Sequence, residues 1–189
     1  MPLLSNYLTQ SRLSQVQKFL GKRILDVGCG HGELLDFFPP QVESVVFLDR
    51  SSERLPRLKA RLSASQIQGE FLQGDIAKQV IHLEPNSFDT VVMAALLEHL
   101  KSPDWAMKQV HSVLKPGGRL VITTPTPLGG KLHRLGSYLG LTHREAAEEH
   151  ERFFDFRGLK LLFERHGFRL DRYERFLAGL NQLAVGRKL

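Results

Sequence analysis

The residues of this 189-residue chain that could do chemistry begin with three glycines and an acid. In the run ILDVGCGHGELL, Ile24 to Leu35, an apolar segment ends at Asp26 and gives way to Gly28, Gly30 and Gly32. Glycines tolerate the dihedrals of a tight turn and let a ligand approach the main chain with no Cβ in the way. The helix expected behind the turn offers free amides, where a carboxylate can rest. A dinucleotide-binding turn is spaced G-x-G-x-x-G, and its third glycine falls here on Glu33, a carboxylate that would repel a pyrophosphate. The spacing G-x-G-x-G points instead to a ligand of low or mixed charge. Asp26, just ahead of the turn, suits a cationic ammonium on that ligand. Cys29 fills a place inside the turn that needs a small side chain. With no nearby base in sequence, packing explains it better than nucleophilic catalysis.

Two further acids fall where strands should end. Asp49, followed by Arg50, closes a second apolar run 21 positions after Gly28, where a carboxylate can accept from ribose hydroxyls. Gly74 and Asp75 close a third, offering an acceptor to an adenine amino group. Any one such aspartate is as well explained as a cap or turn residue. Three at successive strand ends, with the glycine run, argue for convergence on one adenosine-bearing molecule, because the carboxyl ends of strands form the ligand crevice of an open α/β sheet.

The elements that must position these residues follow from short apolar runs alternating with helix-like segments, the pattern of parallel strands joined by crossover helices. Strands are expected at Arg23 to Val27, Ser44 to Leu48, Glu70 to Gln73, Phe88 to Met93 and Arg119 to Thr123, each apolar enough to be covered on both faces. Helices are expected at Thr9 to Leu20, Ser52 to Leu62 and Pro103 to Leu114, with Ser51 and Ser102 as caps and Pro103 at a first helical position. Pro116 and Gly117 should stop the third helix. After Pro125 the rhythm breaks at Gly129, Gly130, Gly136 and Gly140, followed by a polar run, Thr142 to Glu149, which reads as an inserted lid at about 126–152. Helical periodicity returns at Phe156 to Arg165. Two alternating runs, Arg169 to Phe176 and Asn181 to Gly186, can then pair around Gly179. The expected architecture is a Rossmann-like, doubly wound, mostly parallel sheet with an antiparallel last strand, in a single domain over residues 1–189.

Composition narrows the classes. The longest apolar stretch, Val91 to Leu97, is far short of the roughly 20 residues of a membrane span. The first residues lack the pattern of an export signal, so a cytoplasmic location is expected, in agreement with a lone cysteine that forms no internal disulfide. The net charge is +6 with a pI near 9.7. The basic residues are scattered rather than blocked, so a nucleic-acid partner is allowed but not favoured. Oligomeric state is left open.

On these residues the chain resembles the class I S-adenosylmethionine-dependent methyltransferases, especially the type-11 small-domain group. The resemblance rests on LDVGCGHGELL, on Asp49, on Gly74 with Asp75, and on FDTVVMAALLEHL followed by LKPGGRLVITTP. The segment HERFFDFRGLKLLFERHGF, His150 to Phe168, is similar to a late helix of that group. The resemblance implies seven strands with the last antiparallel and S-adenosyl-L-methionine as cofactor. It implies that Asp26, Gly28, Gly30 and Gly32, with Cys29 in the same turn, hold the methionine portion. Asp49 and Arg50 would lie at the ribose, Asp75 and Ile76 at the adenine, and Met93 and Ala94 beside the sulfonium.

Methyl transfer from a sulfonium needs alignment more than activation, since the leaving group is already formed. A hydroxyl acceptor would use a histidine as proton acceptor, and His99 and His150 are the candidates, each otherwise a cap, core or lid residue. A small-molecule acceptor, reacting at oxygen, nitrogen or carbon, is the leading reading. The alternatives are a catalytically silent cofactor-binding domain and an RNA-directed enzyme. Small-RNA ribose methyltransferases hold a metal with a Glu-x-x-Glu-His block, but here Ala95 replaces the first glutamate ahead of Glu98 and His99, and no metal is expected. The Asn/Asp-Pro-Pro-aromatic block of amino-directed nucleic-acid enzymes is replaced by Met93-Ala94-Ala95-Leu96. Phe153, Phe154 and Phe156 are expected in the core rather than around a pocket.

Overall fold

A computed structural model describes residues 3–138 and 153–189, with side-chain environments at 5–132 and 153–189. Its strands are β1 (Arg23–Val27), β2 (Ser44–Asp49), β3 (Gln68–Gln73), β4 (Phe88–Ala94), β5 (Leu114–Pro125), β6 (Phe168–Phe176) and β7 (Asn181–Lys188). They form one seven-stranded sheet in the order β3-β2-β1-β4-β5-β7-β6. β1 to β5 pair in parallel, and β7 runs antiparallel between β5 and β6. The expected Rossmann-like topology, antiparallel ending included, is therefore the observed one.

The helices are α1 (Leu3–Val16), α2 (Leu55–Ser63), α3 (Pro103–Val113), α4 (Pro127–Tyr138) and α5 (Phe156–Arg165). Side chains alternate across each strand, so the apolar runs feed two cores. On one face Leu25, Val27, Val91, Met93, Leu120 and Ile122 pack with Met107 and Val110 of α3 and Leu159 and Phe163 of α5. On the other, Ile24, Val45, Phe47, Val92 and Val121 pack with Leu13 and Val16 of α1 and Leu58 of α2. Burying each such side chain contributes about 1.5–3 kcal/mol. That two-sided demand is why the middles of the central strands are apolar, as at Val45 to Leu48, Val91 to Met93 and Leu120 to Ile122. β6 at the sheet edge carries Arg169, Asp171, Arg172, Glu174 and Arg175, charges that discourage pairing with another chain.

Several local expectations give way to tertiary structure. The segment after the glycine turn is only a five-residue 3₁₀ turn, Glu33–Phe37, not an α-helix. Phe38 is extended, at φ −71° and ψ 121°, because it precedes Pro39, and a residue before proline is driven out of the helical region. Ser51 and Ser102 make no side-chain capping bond. The Ser51 amide is met instead by Asp49 Oδ1 at 3.0 Å. α1 starts earlier than expected and ends in a 3₁₀ turn, Gln17–Phe19, while α2 is preceded by another, Ser52–Arg54. α3 stops at Val113 because Leu114 already pairs with Phe88, leaving Pro116 and Gly117 inside the leading part of β5. The start of the expected lid is the helix α4, anchored where Thr126 Oγ1 donates to the Gly179 carbonyl at 2.9 Å. The run Thr142 to Glu149, with His143 and His150, lies outside the described residues.

Candidate functional site

The sheet brings the carboxyl ends of β1 to β4 to one edge, and a cleft of about 460 Å³ opens there. The first turn is an extension of the sheet, since the Gly28 amide donates to the Leu48 carbonyl at 2.7 Å. Gly28 has φ +72°, and a Cβ there would come 3.0 Å from Leu96 Cδ1 across the cleft. This is a cradle that any larger residue would begin to fill.

Asp49 stands at the end of β2 with 5% of its surface exposed. Its Oδ2 accepts from the Gly30 amide at 3.0 Å and faces Arg54 Nη1 at 3.4 Å, while Oδ1 accepts from Ser51. Asp75 is held the same way: Oδ1 accepts from the Ala77 amide at 3.0 Å and Oδ2 lies 3.5 Å from Lys78 Nζ. The Gly74 amide donates to the Asp49 carbonyl at 2.9 Å, tying the two strand ends together. Gly28, Asp49, Arg50, Asp75 and Ile76 all line the cleft, as does His99.

Among the described residues, the other expected ones do not line the cleft. Asp26 is 4% exposed. Burial first, then the carboxylates of Glu33 and Asp49, push its pKa up to about 8. Glu33 Oε2 accepts from the His31 amide at 3.1 Å, bracing the turn. Gly30 and Gly32 shape the same turn with φ +59° and +74°. Cys29 is buried, and burial raises its thiol pKa, which suits packing and not attack. Met93 is fully buried and Ala94 packs against the core facing α1, so neither lines the cleft.

Their place is taken by Ala95 and Leu96. Ala95 adopts φ +52°, held by its amide donating to the Thr123 carbonyl at 2.8 Å. A non-glycine residue in that region is strained, and such strain gathers at functional sites. Nothing in MAALLEHL signals this bend. Arg54, Lys78, Leu100 and Lys101, which also line the cleft, were equally illegible, although Asp75 and Lys78 at an i,i+3 spacing offered a hint.

Glu98 is sealed from the cleft at 1% exposure, accepting from Thr124 Oγ1 at 2.9 Å. Burial raises its pKa and the guanidinium of Arg12 opposes that rise; Arg12 in turn donates from Nε to Asn181 Oδ1 at 3.0 Å. Among the described residues no three His, Cys, Asp or Glu side chains gather as a metal site. Phe154 packs on the core as expected, whereas Phe156 is 39% exposed and outside it, meeting Tyr173 edge to face at 4.8 Å. No helix among the described residues is long and apolar enough to cross a membrane.

A family of methyltransferase domains matches residues 6–173. The chain is 31% identical over 123 residues to a ubiquinone biosynthesis O-methyltransferase of Aliivibrio fischeri, covering 65% of this chain and 50% of that protein. It is likewise 31% identical to the protein of that name in Klebsiella pneumoniae, covering 55% of this chain and 43% of the relative. The chain thus spans about half the length of the relatives it matches, or less. Among solved structures, an S-adenosylmethionine-dependent methyltransferase from Mesorhizobium loti superposes with TM-score 0.69 at 21% identity, covering 93% and 95% of the two chains. One from Methanosarcina mazei gives 0.66 at 23%, covering 93% and 97%. At these identities the structures speak for the fold alone.

Proposed function

This chain belongs to the methyltransferase-domain family, and from that premise we propose that it transfers the methyl group of S-adenosylmethionine to a hydroxyl oxygen of a small molecule. The observation that carries this reading is the convergence of Gly28, Asp49, Asp75 and Ile76 on one cleft. The residues fit that cofactor: an open cradle at Gly28, a buried carboxylate at the end of β2 for a ribose diol, and Asp75 with Ile76 for an adenine. The choice of oxygen draws on the relatives' being O-methyltransferases. A cytoplasmic setting agrees with the single cysteine.

When bound, the cofactor supplies a methyl group on an already formed leaving group, so alignment is the main demand. The chain's part is then to bind, orient and take a proton. Ala95 and Leu96 wall the cleft, with Leu96 close over Gly28, and would limit how deep a ligand can sit. His99, which also lines the cleft, is the candidate to accept the acceptor hydroxyl's proton. Calorimetric titration should show S-adenosylmethionine binding and no binding of NAD. Incubation with small phenols and other hydroxyl acceptors should release S-adenosylhomocysteine. Binding without turnover on any acceptor would reduce the protein to a silent binding domain.

Asp26 gives this reading a pH signature. With its pKa up near 8, the ligand-free carboxyl is protonated at neutral pH, and an ammonium group on the cofactor favours the ionised form. Affinity should therefore rise with pH, by up to about tenfold per unit as far as pH 8, and level off where the ligand's own α-amino group begins to lose its proton. Asp26→Asn mimics the protonated form and should flatten that dependence. A slope unchanged in the variant would remove Asp26 from the binding account.

A further inference from the structure

The cleft carries more positive charge than its proposed cofactor calls for. Four cations, Arg50, Arg54, Lys78 and Lys101, line it against two carboxylates, Asp49 and Asp75. S-adenosylmethionine is itself cationic, and its adenosine end, where these side chains stand, is neutral. Arg50 and Arg54 follow Asp49 at the end of β2, beside the ribose position. Arg54 Nη1 lies 3.4 Å from Asp49 Oδ2 and 3.9 Å from where a Cβ on Gly30 would stand, so the guanidinium spans the mouth between the β2 end and the glycine turn. The Asp49 carboxylate already accepts on both oxygens from the amides of Gly30 and Ser51, so Arg54 is not needed to satisfy its hydrogen bonding. The arginine side chain is 45% exposed, and a guanidinium carries five donors, suited to bidentate capture of an oxyanion. In nucleotide-binding sheets an arginine near the end of the second strand accommodates a phosphate on the ribose.

We propose that the cleft also binds adenosine nucleotides bearing a phosphate on the 2′ or 3′ ribose oxygen, gripped by Arg54 with Arg50, in competition with the methyl-transfer cofactor. This rests on the adenosine reading of the cleft but adds a second ligand class to it. The phosphate's position matters. A 5′-phosphate would point toward the glycine turn, where the Glu33 carboxylate opposes negative charge, whereas a 2′- or 3′-phosphate faces the arginines. The nucleotide would act as a competitive inhibitor, linking methyl transfer to the supply of such nucleotides.

The test is displacement of S-adenosylhomocysteine from the purified protein by adenosine and by its 2′-, 3′- and 5′-monophosphates. At least one of the 2′ and 3′ isomers should bind about tenfold or more tighter than adenosine, and the gain should shrink with salt. The 5′ isomer should bind no better than adenosine. Arg54→Gln should remove the gain, while Arg57→Gln, on the helix α2 that follows and outside the cleft lining, should keep it. Equal binding of adenosine and all three phosphates, or a gain that persists in Arg54→Gln, would overturn the proposal. If S-adenosylhomocysteine itself fails to bind, the cofactor reading fails, and direct titration with the 2′ and 3′ isomers still decides whether this ligand class is held.

Discussion

Replacing Asp49 with alanine should weaken S-adenosylmethionine binding by roughly 100-fold. A hydrogen bond to a charged group is worth about 1.5–3 kcal/mol, and each 1.4 kcal/mol is about tenfold in affinity. A ribose diol given to one buried carboxylate therefore stands to lose about 3 kcal/mol when that carboxylate goes. The substitution also releases the Gly30 and Ser51 amides, which both donate to Asp49, so the glycine turn loses its brace. Asp49→Asn keeps one acceptor oxygen and should fall between the alanine variant and the parent. Calorimetric titration of the three proteins at one pH reads the effect. Alanine-variant affinity within about threefold of the parent would remove Asp49 from the ribose position.

The second large effect is on stability and lies away from the cleft. A Cβ at Gly129 would overlap the Leu180 carbonyl oxygen and come 2.8 Å from its carbonyl carbon, so the clash is with backbone and no side chain can swing aside. Neither partner is free to retreat. The Thr126 amide donates to that same Leu180 carbonyl at 2.9 Å, and the Thr126 hydroxyl bonds Gly179 at 2.9 Å, locking the start of α4 to the turn between β6 and β7. Overpacking of this kind costs about 1–3 kcal/mol or more. A clash with fixed backbone falls at the top of that range, about 3 kcal/mol, so at roughly 2–4 °C per kcal/mol for a chain of this size Gly129→Ala should lower the melting temperature by about 6–12 °C. Gly179→Ala, at φ +81° but with open space around its Cβ position, carries only the conformational cost of about 1 kcal/mol. If the two variants melt together, the close approach of α4 to the turn is wrong.

The sheet was legible because burial on both faces leaves a plain mark: Val91, Val92 and Met93 in β4, or Leu120, Val121 and Ile122 in β5, admit no polar residue when one core lies above and the other below. Helix ends were less legible. Each is decided by competition: proline at 39 and 40 cuts the turn after Glu33 to 3₁₀, and strand pairing at Leu114 ends α3 before its proline and glycine are reached. Glu98 illustrates a further limit. Its neighbour His99 reaches the cleft while it is buried under Arg12 and Thr124, and adjacent residues with opposite fates cannot be sorted from the run LEHL.

What the amino-acid order determined by itself was the order of strands and crossovers and the placing of Gly28, Asp49 and Asp75 at strand ends, since periodicity and glycine spacing are local properties of the chain. Which side chains face the ligand was decided only in three dimensions. The strained turn at Ala95 brings Leu96 over Gly28 and leaves Met93 in the core, and Arg54 and Lys78 close on the two acids from neighbouring elements. The approach of Leu96 to Gly28 depends on the distance between segments far apart in the chain, which exists only once the sheet has assembled, while the two ion pairs are close in the chain but need the strand ends to be fixed before they can form.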